Sequence, residues 1–386
     1  MARKGGAEAF DELLEADARW RELVPQVDEL RGRQKLKGKP TPEQVEELKQ
    51  VKEDLRRLED ELSSAEARRD ELLQRVPNPP HESVPDGDAE EDAREERRVG
   101  EPGDESPEHL ELGWFDMERG ARLSGSRFGY IAGDAALLAL ALYRWALDRV
   151  VAEGFTPVLP PVLVREEAMY GTGFFPAERN EYYEISEDGL YLTGTSEVAL
   201  AALHMGEIIE ADELPRRYTA FSPNFRREAG AAGRDTRGMF RVHQFNKVEM
   251  FSYVRPEESW DEHDRLLATE ESLAQELGLP YRVVNIAAGN LSAAAAKRYD
   301  LEAWFPSQER YRELTSASNT TDYQARRLGI RYRADSGTEH VHTLNGTAVT
   351  DRWLLAILEN FQDESGKVAV PECLIGFGAP QQLEPG

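Results

Sequence analysis

The amino-acid sequence predicts an α+β fold: a mostly antiparallel sheet flanked by helices, preceded by a long antiparallel helical hairpin. Three observations carry that prediction. Residues 8–75 repeat their apolar side chains at three- and four-residue spacing, the period of a helix. Residues 221–253 read strand, charged loop, strand, with aromatic and β-branched residues at a spacing of two. Beyond residue 108, short runs of that second period alternate with helical runs. Neither GxGxxG after a first strand nor GxxxxGK followed by Ser or Thr is present, so the Rossmann and P-loop solutions to nucleotide binding are absent.

In the hairpin, Phe10, Leu13, Leu14, Leu23, Val27 and Leu30 mark one apolar stripe, and Val45, Leu48, Leu55, Leu58, Leu62 and Leu72 mark the other. Gly38 and Pro40 stop the first helix, Thr41 can cap the second, and Pro42 suits its first turn. Two helices of about 27 and 33 residues, rising about 1.5 Å per residue, make an arm roughly 40 to 50 Å long. Its outer faces are Glu, Lys and Arg, so it should project. At the turn the charge reverses: Arg31, Arg33, Lys35, Lys37 and Lys39 put five positive charges in nine residues. Such a turn is either plainly solvated or a place to hold a phosphate backbone. Arg56, Arg57, Arg68 and Arg69 either extend that surface or pair with acids one turn away.

The chain thus divides into a hairpin arm (1–76), a Pro-rich acidic linker (77–107) and a mixed domain (108–386). In the last, a helix at 134–153 leads into a strand at 156–159 that stops at Pro160 and Pro161. A strand at 191–192 turns through Gly-Thr-Ser-Glu into a helix. After the arginine-rich hairpin come a helix at 259–277, strands at 281–285, 299–304, 311–316 and 340–344, and a final helix from about 351.

A length of 386 residues allows one sizeable domain and an accessory one. The net charge of -26 argues against a non-specific nucleic-acid coat, though not against a local basic docking site. One cysteine, Cys373, excludes an intrachain disulfide framework and a thiolate zinc cluster, and the seven histidines show no HExxH spacing. The charged N-terminus is unlike a signal peptide and no apolar run approaches a membrane span, so a cytoplasmic enzyme without membrane contact is expected.

The chemistry concentrates in 221–253, where Arg226, Arg227, Arg234, Arg237 and Arg241 line a strand–loop–strand segment with Glu228 and Glu249 among them. A guanidinium pairs bidentately with phosphate and stacks on a base, so this segment suits a nucleotide. The carboxylates indicate that the same site also holds a cation.

The chain resembles the seryl-tRNA synthetases, a family of class II aminoacyl-tRNA synthetases, over nearly its whole length. The motifs are GFTPVLPP, NFRREAGAAGRDTRGMFRVHQFNKVE and LNGTAVTDRWLLAILEN, with GTSEVAL and RELTSASNTTDYQARR as the seryl-specific signatures. The resemblance implies a class II antiparallel sheet, a homodimer with Pro160 or Pro161 at its interface, ATP and Mg²⁺ as cofactors, and L-serine and tRNA(Ser) as partners. The arm would grip the tRNA, with Arg31, Arg33, Lys35, Lys37 and Lys39 in contact. Arg226, Glu228 and Arg352 would be the catalytic set. Arg226 would hold the α-phosphate and Glu228 the adenine amino group. Phe245 would stack on one face of adenine, with Arg352 covering the other and reaching the γ-phosphate. Arg241 would also serve ATP, and Glu313 and Ser316 would support Mg²⁺ and the phosphates. For serine, Thr195 and Glu249 would take the ammonium group and Arg226 the carboxylate side. Glu249, Thr347 and Asn345 would take the hydroxyl, with Glu197 as a further serine contact.

Blander roles compete at several positions. His243 is expected to be a structural hydrogen-bonder and Trp353 core. Two residues depart from the family pattern. Asn290 stands where an aspartate follows Gly289, which should weaken the amino-acid pocket. Asp351 precedes Arg352, where it would either shield that arginine or cap the last helix. The resemblance implies a short strand and helix ahead of the arm, and the sequence is expected to begin within the arm's first helix. The alternatives are a seryl-activating paralogue that loads a carrier protein or serves a specialised biosynthetic or resistance role, and a synthetase-like RNA-binding regulator. Retention of the arm disfavours the first; retention of Arg226, Glu228 and Arg352 disfavours the second.

Overall fold

The structure is a computed structural model that describes residues 2–34, 41–229 and 238–385. It forms two compact units, Met1–Pro79 and Pro80–Gly386. The first is a helical hairpin of α1 (Ala7–Arg33) and α2 (Pro42–Arg75), lengths close to those expected. Of the expected stripes Leu23 and Val27 of α1 and Leu55 and Leu72 of α2 are buried, with Val51 added, whereas Leu14 and Val45 are exposed. Thr41 caps α2 as predicted: its Oγ1 accepts the Gln44 N–H and the Gln44 side chain accepts the Thr41 N–H. Arg57, Arg68 and Arg69 pair with Asp54, Glu12, Glu71 and Asp70 within the arm.

The second unit is built on an eight-stranded sheet. Its strands are β1 (Arg94–Val99), β2 (Thr156–Val158), β3 (Arg216–Phe225), β4 (Gln244–Val254), β5 (Tyr281–Asn285), β6 (Lys297–Phe305), β7 (Arg310–Thr321) and β8 (His342–Thr350). They lie in the order β1-β5-β6-β7-β8-β4-β3-β2. Every pairing is antiparallel except β2 with β3. The unit's three longest helices are α3 (Gly133–Ala152), α4 (Ser259–Leu277) and α5 (Asp351–Asn360). Leu138, Leu142 and Trp145 of α3, Leu266 and Leu273 of α4 and Trp353 and Leu354 of α5 share one core with the sheet. Trp353 is fully buried, as expected.

Two elements differ from the sequence reading. The expected linker at 77–107 contains β1, whose residues pair with β5 from Arg94↔Asn285 to Val99↔Tyr281, so this segment belongs to the sheet. The strand expected at 340–344 is two strands, with Gly337–His340 in a small separate sheet and β8 starting at His342.

Candidate functional site

Strand alternation alone does not place the site residues; two β-bulges do. Asp300 opposes Ser316 and Leu301 opposes Thr315, but Glu302 opposes Glu313, so Leu314 is the extra residue. Glu313 and Ser316 are three apart and would otherwise point to opposite faces; the bulge returns them to the same one. Likewise Val248 opposes Val349 but Glu249 opposes Thr347, so Ala348 bulges and Thr347 shares a face with Thr350. The neighbouring β4 needs no such device: Phe245, Lys247 and Glu249 alternate onto that face directly.

These residues line a cavity of about 430 Å³ together with Thr195, Glu197, Arg226 and Glu228 from the adjoining turns. Arg241, Ser316, Asn345, Thr347 and Arg352 also line it. Every ATP- and serine-site residue expected from the sequence is therefore brought to one cavity. Arg234 and Arg237 lie outside the described residues.

Two charge clusters divide the cavity. In the first, Lys247 is buried, donates from Nζ to Thr195 Oγ1 at 2.6 Å and forms an ion pair with Glu249. Thr347 Oγ1 donates to Glu249 at 3.4 Å. Burial raises the Glu249 carboxyl, against the pull of Lys247. Glu197 accepts from Gln324 Nε2 at 2.8 Å and from Asn345 Nδ2 at 3.0 Å. Burial first, then the nearby Glu249 charge, push Glu197 up to about 7. In the second cluster Glu313 sits 3.2 Å from Arg298 and 3.4 Å from Arg352. Burial opposes its charge, but Arg298, Arg352 and Arg226 outweigh it and hold the carboxyl at about 2. Its side chain is still 41% exposed, open to the cavity.

Arg226 lines the same cavity and acts electrostatically on both clusters, its charge favouring the ionised form of Glu249 and of Glu313. Its guanidinium lies 5.4 Å from the Phe245 ring centre and its Nε donates to the Gly194 carbonyl at 3.2 Å. A side chain at Gly194 would come within 3.1 Å of Arg226 Cγ and 3.0 Å of the Tyr182 ring, so the Gly-Thr-Ser-Glu turn needs its glycine to let Arg226 pass. His243 is structural, as expected: its Nδ1 bonds the Arg226 carbonyl at 2.9 Å, and its own carbonyl accepts the Arg226 N–H. Glu228 adopts a positive φ of 51° and accepts from Arg241 Nη1 at 2.6 Å.

Two cavity residues were given no role by the sequence reading. Lys247 was legible, because it falls between Phe245 and Glu249 in a strict alternation. Phe240 carried no such signal. Its ring centre lies 4.6 Å from the Arg352 guanidinium and 3.7 Å from that of Arg312, and its carbonyl accepts from Arg352 Nε at 3.4 Å.

Both departures from the family pattern resolve in physical terms. Asn290 is exposed and does not line the cavity, so the expected weakening of the pocket has no structural basis. Asp351 neither caps α5 nor shields Arg352. Thr350 is the cap, its Oγ1 accepting the Arg352 N–H at 3.2 Å. Asp351 instead accepts from the Tyr143 hydroxyl and from the Asn246 N–H, and burial raises it to about 6.

At the arm, Arg31 bonds Glu59 at 2.9 Å and Arg33 bonds Glu47 at 3.1 Å, so both are paired across the hairpin. Lys35, Lys37 and Lys39 lie outside the described residues. Pro160 is half-buried and Pro161 exposed, just beyond β2 at the rim of the sheet. Among the described residues, no helix is long and apolar enough to cross a membrane.

An antiparallel sheet whose central strands present Glu313, Thr347 and Glu249, with Arg226, Arg241 and Arg352 gathered into the same cavity from the flanking segments, is the arrangement of a class II aminoacyl-tRNA synthetase. The family described as tRNA synthetase class II core domain (G, H, P, S and T) matches residues 182–361, and the seryl-tRNA synthetase N-terminal domain matches residues 1–80. The chain is 48% identical to a serine–tRNA ligase of Thermobifida fusca, covering 100% of this chain and 94% of that one. It is 47% identical to the Streptomyces coelicolor enzyme of the same description, covering 100% and 95%. Among solved structures, seryl-tRNA synthetase from Pyrococcus horikoshii complexed with ATP superposes with a TM-score of 0.94 at 39% identity, over 100% of this chain and 96% of that one. The cytoplasmic enzyme of Naegleria fowleri in complex with AMP gives 0.91 at 34%, over 99% and 94%. The chain belongs to the seryl-tRNA synthetase family, in its bacterial form.

Proposed function

We propose that this one cavity binds ATP and L-serine side by side, forms seryl-adenylate, and passes the seryl group to tRNA(Ser) held by the helical arm. The observation that carries the reading is that Arg226 lines one cavity together with a buried Lys247–Glu249 pair and the Glu313–Arg352 pair. An amino acid needs groups for both ammonium and carboxylate, and ATP needs cations for its phosphates; Arg226 is positioned to serve the junction where they react.

The serine carboxylate attacks the α-phosphorus; the new P–O bond forms as the bond to pyrophosphate breaks. No protein nucleophile is needed, so positioning and charge do the catalysis. Arg226 holds the α-phosphate and the carboxylate together. Phe245 offers its face to adenine, and Arg352, braced by Phe240, reaches the far phosphates. Glu228, oriented by Arg241, takes the adenine amino group. Thr195 and Glu249 receive the serine ammonium in company with Lys247, and Asn345 and Thr347 stand by the hydroxyl. A hydroxyl of the tRNA's terminal adenosine then attacks the seryl carbonyl carbon and AMP leaves.

The residues present fit Mg²⁺. Glu313 is ionised and shares its face with the Ser316 hydroxyl, an all-oxygen donor pair suited to a cation that arrives with phosphates and water. When bound, the ion neutralises charge on the phosphate oxygens.

Glu197 makes serine binding depend on pH. Below about 7 it is neutral; above, its charge adds to that of Glu249, whose own is offset by Lys247. The serine KM is therefore expected to fall about fivefold between pH 6 and pH 8, where serine itself stays a zwitterion. A Glu197→Gln enzyme should show a flat profile, and an unchanged slope would remove Glu197 from this role.

A homodimer is supported by Leu137, Leu140 and Leu159, which are exposed on α3 and beside β2, next to Pro160 and Pro161. Leu140→Glu should sediment as a monomer; an unaltered dimer would place the interface elsewhere.

Serine-dependent pyrophosphate exchange followed by charging of tRNA(Ser) tests the function as a whole. Lys35→Ala with Lys37→Ala should spare exchange and raise the tRNA KM. Exchange without charging would favour the carrier-loading paralogue, and a folded protein with neither would favour the RNA-binding reading.

A further inference from the structure

We infer that His109 is a positioning residue for ATP: one buried imidazole ties the segment that leads into β4 to the helix that carries Arg352. The inference rests on the assignment of the cavity to ATP. His109 is fully buried, and its ring meets Phe115 edge-on at 5.4 Å. Its two nitrogens face different elements. Nδ1 lies 2.7 Å from Glu359 Oε1, near the C-terminal end of α5. Nε2 accepts the backbone N–H of Met239 at 3.3 Å.

That second bond fixes the tautomer. A backbone amide can only donate, so Nε2 must carry a lone pair, and the proton therefore sits on Nδ1, where it donates to Glu359. Glu359 is held in turn: its Oε2 accepts from Ser307 Oγ at 2.7 Å and its Oε1 also accepts the His109 N–H at 3.3 Å. The carboxylate is thus fixed by three donors, and the ring by the carboxylate.

The approach is close enough to dictate the sequence beside it. Gly238 has φ +73°, and a side chain there would come within 2.9 Å of His109 Nε2. Immediately after Met239 comes Phe240, the ring and carbonyl that support Arg352. The connection then runs Glu359, His109, Met239, Phe240, Arg352, and closes on itself because Glu359 and Arg352 belong to the same helix. What His109 sets is the height of Phe240 against α5, hence the direction of the Arg352 guanidinium. Serine's groups, Thr195, Glu249 and Thr347, take no part in this loop.

The test is the dissociation constant of Mg²⁺-ATP and, separately, of serine, by calorimetry on the full chain, alongside exchange kinetics. Removing the acceptor leaves a buried N–H unpaired, so His109→Ala should bind ATP about tenfold more weakly and serine unchanged. His109→Gln places an amide oxygen near the position of Nε2 and should recover most of the ATP affinity. Should His109→Ala fail to fold, Glu359→Gln serves: its amide can donate to Nδ1 and turn the Nε2 proton against Met239, and ATP affinity should fall about threefold. A purely structural role would lower the melting temperature and the active fraction while leaving the ATP constant of the folded molecules alone, and this would overturn the inference. So would equal losses for ATP and serine. An enzyme that binds ATP but shows no serine-dependent exchange would refute the proposed reaction, yet the ATP constants of the variants would still decide the role of His109.

Discussion

Replacing Arg226 by alanine is expected to lower kcat/KM for serine-dependent pyrophosphate exchange by about a thousandfold or more, with the fold intact by circular dichroism. The size follows from where the side chain stands. In the proposed reaction it would offset charge that builds on the α-phosphate, and it lines the cavity that holds both charge clusters. Arg226→Lys keeps the charge but not the planar fork or the contact with Phe245 at 5.4 Å, so it should recover only a small part of the loss. Activity of the alanine enzyme within tenfold of the parent would show that Arg226 is an ordinary loop charge.

The second large effect is expected at Lys247. Its ammonium is 8% exposed, and its partner Glu249 is 1% exposed. Breaking a buried pair from one side leaves an uncompensated charge, so Lys247→Met should cost about 3 to 5 kcal/mol in stability. The sign of its pH dependence is fixed by Glu249. Burial already raises that carboxyl, and without Lys247 it would rise further. A group raised in the folded state contributes stability below its unfolded pKa and loses it as pH rises through the folded value. The variant should therefore be nearer to parental stability at pH 5 than at pH 8, by denaturant titration at both. A variant equally stable at pH 8 would mean that Lys247 and Glu249 are not coupled.

These two residues mark how much of the site could be read from the sequence. Arg226, Glu228 and Arg352 stood in motifs of resemblance, and the period-two spacing of Phe245, Lys247 and Glu249 put them on one face. The same rule misplaces Glu313 relative to Ser316 and Thr347 relative to Thr350, because bulges at Leu314 and Ala348 each add a residue without a local sequence signal. β1 was missed for another reason. Its sequence, Arg-Glu-Glu-Arg-Arg-Val, is that of an exposed edge strand, where charge blocks further pairing and no apolar alternation betrays the strand. On the arm the Thr41 cap and the Pro42 start were legible to the residue, whereas Leu14 and Val45 of the expected stripes are exposed and the expected stop at Gly38 and Pro40 lies outside the described residues. Asp351 shows the limit of reading one position by its neighbours: next to Arg352 in sequence, it turns instead to Tyr143 and Asn246.

The central claim is that a single cavity holds both substrates of the activation step. A non-hydrolysable seryl-adenylate analogue, with a sulfamoyl group in place of the phosphate, measures this most directly in steady-state exchange. The account predicts inhibition competitive with ATP and competitive with serine, and loss of both in Arg226→Ala. Competition with one substrate alone would contradict it, because the second would then bind at a different site.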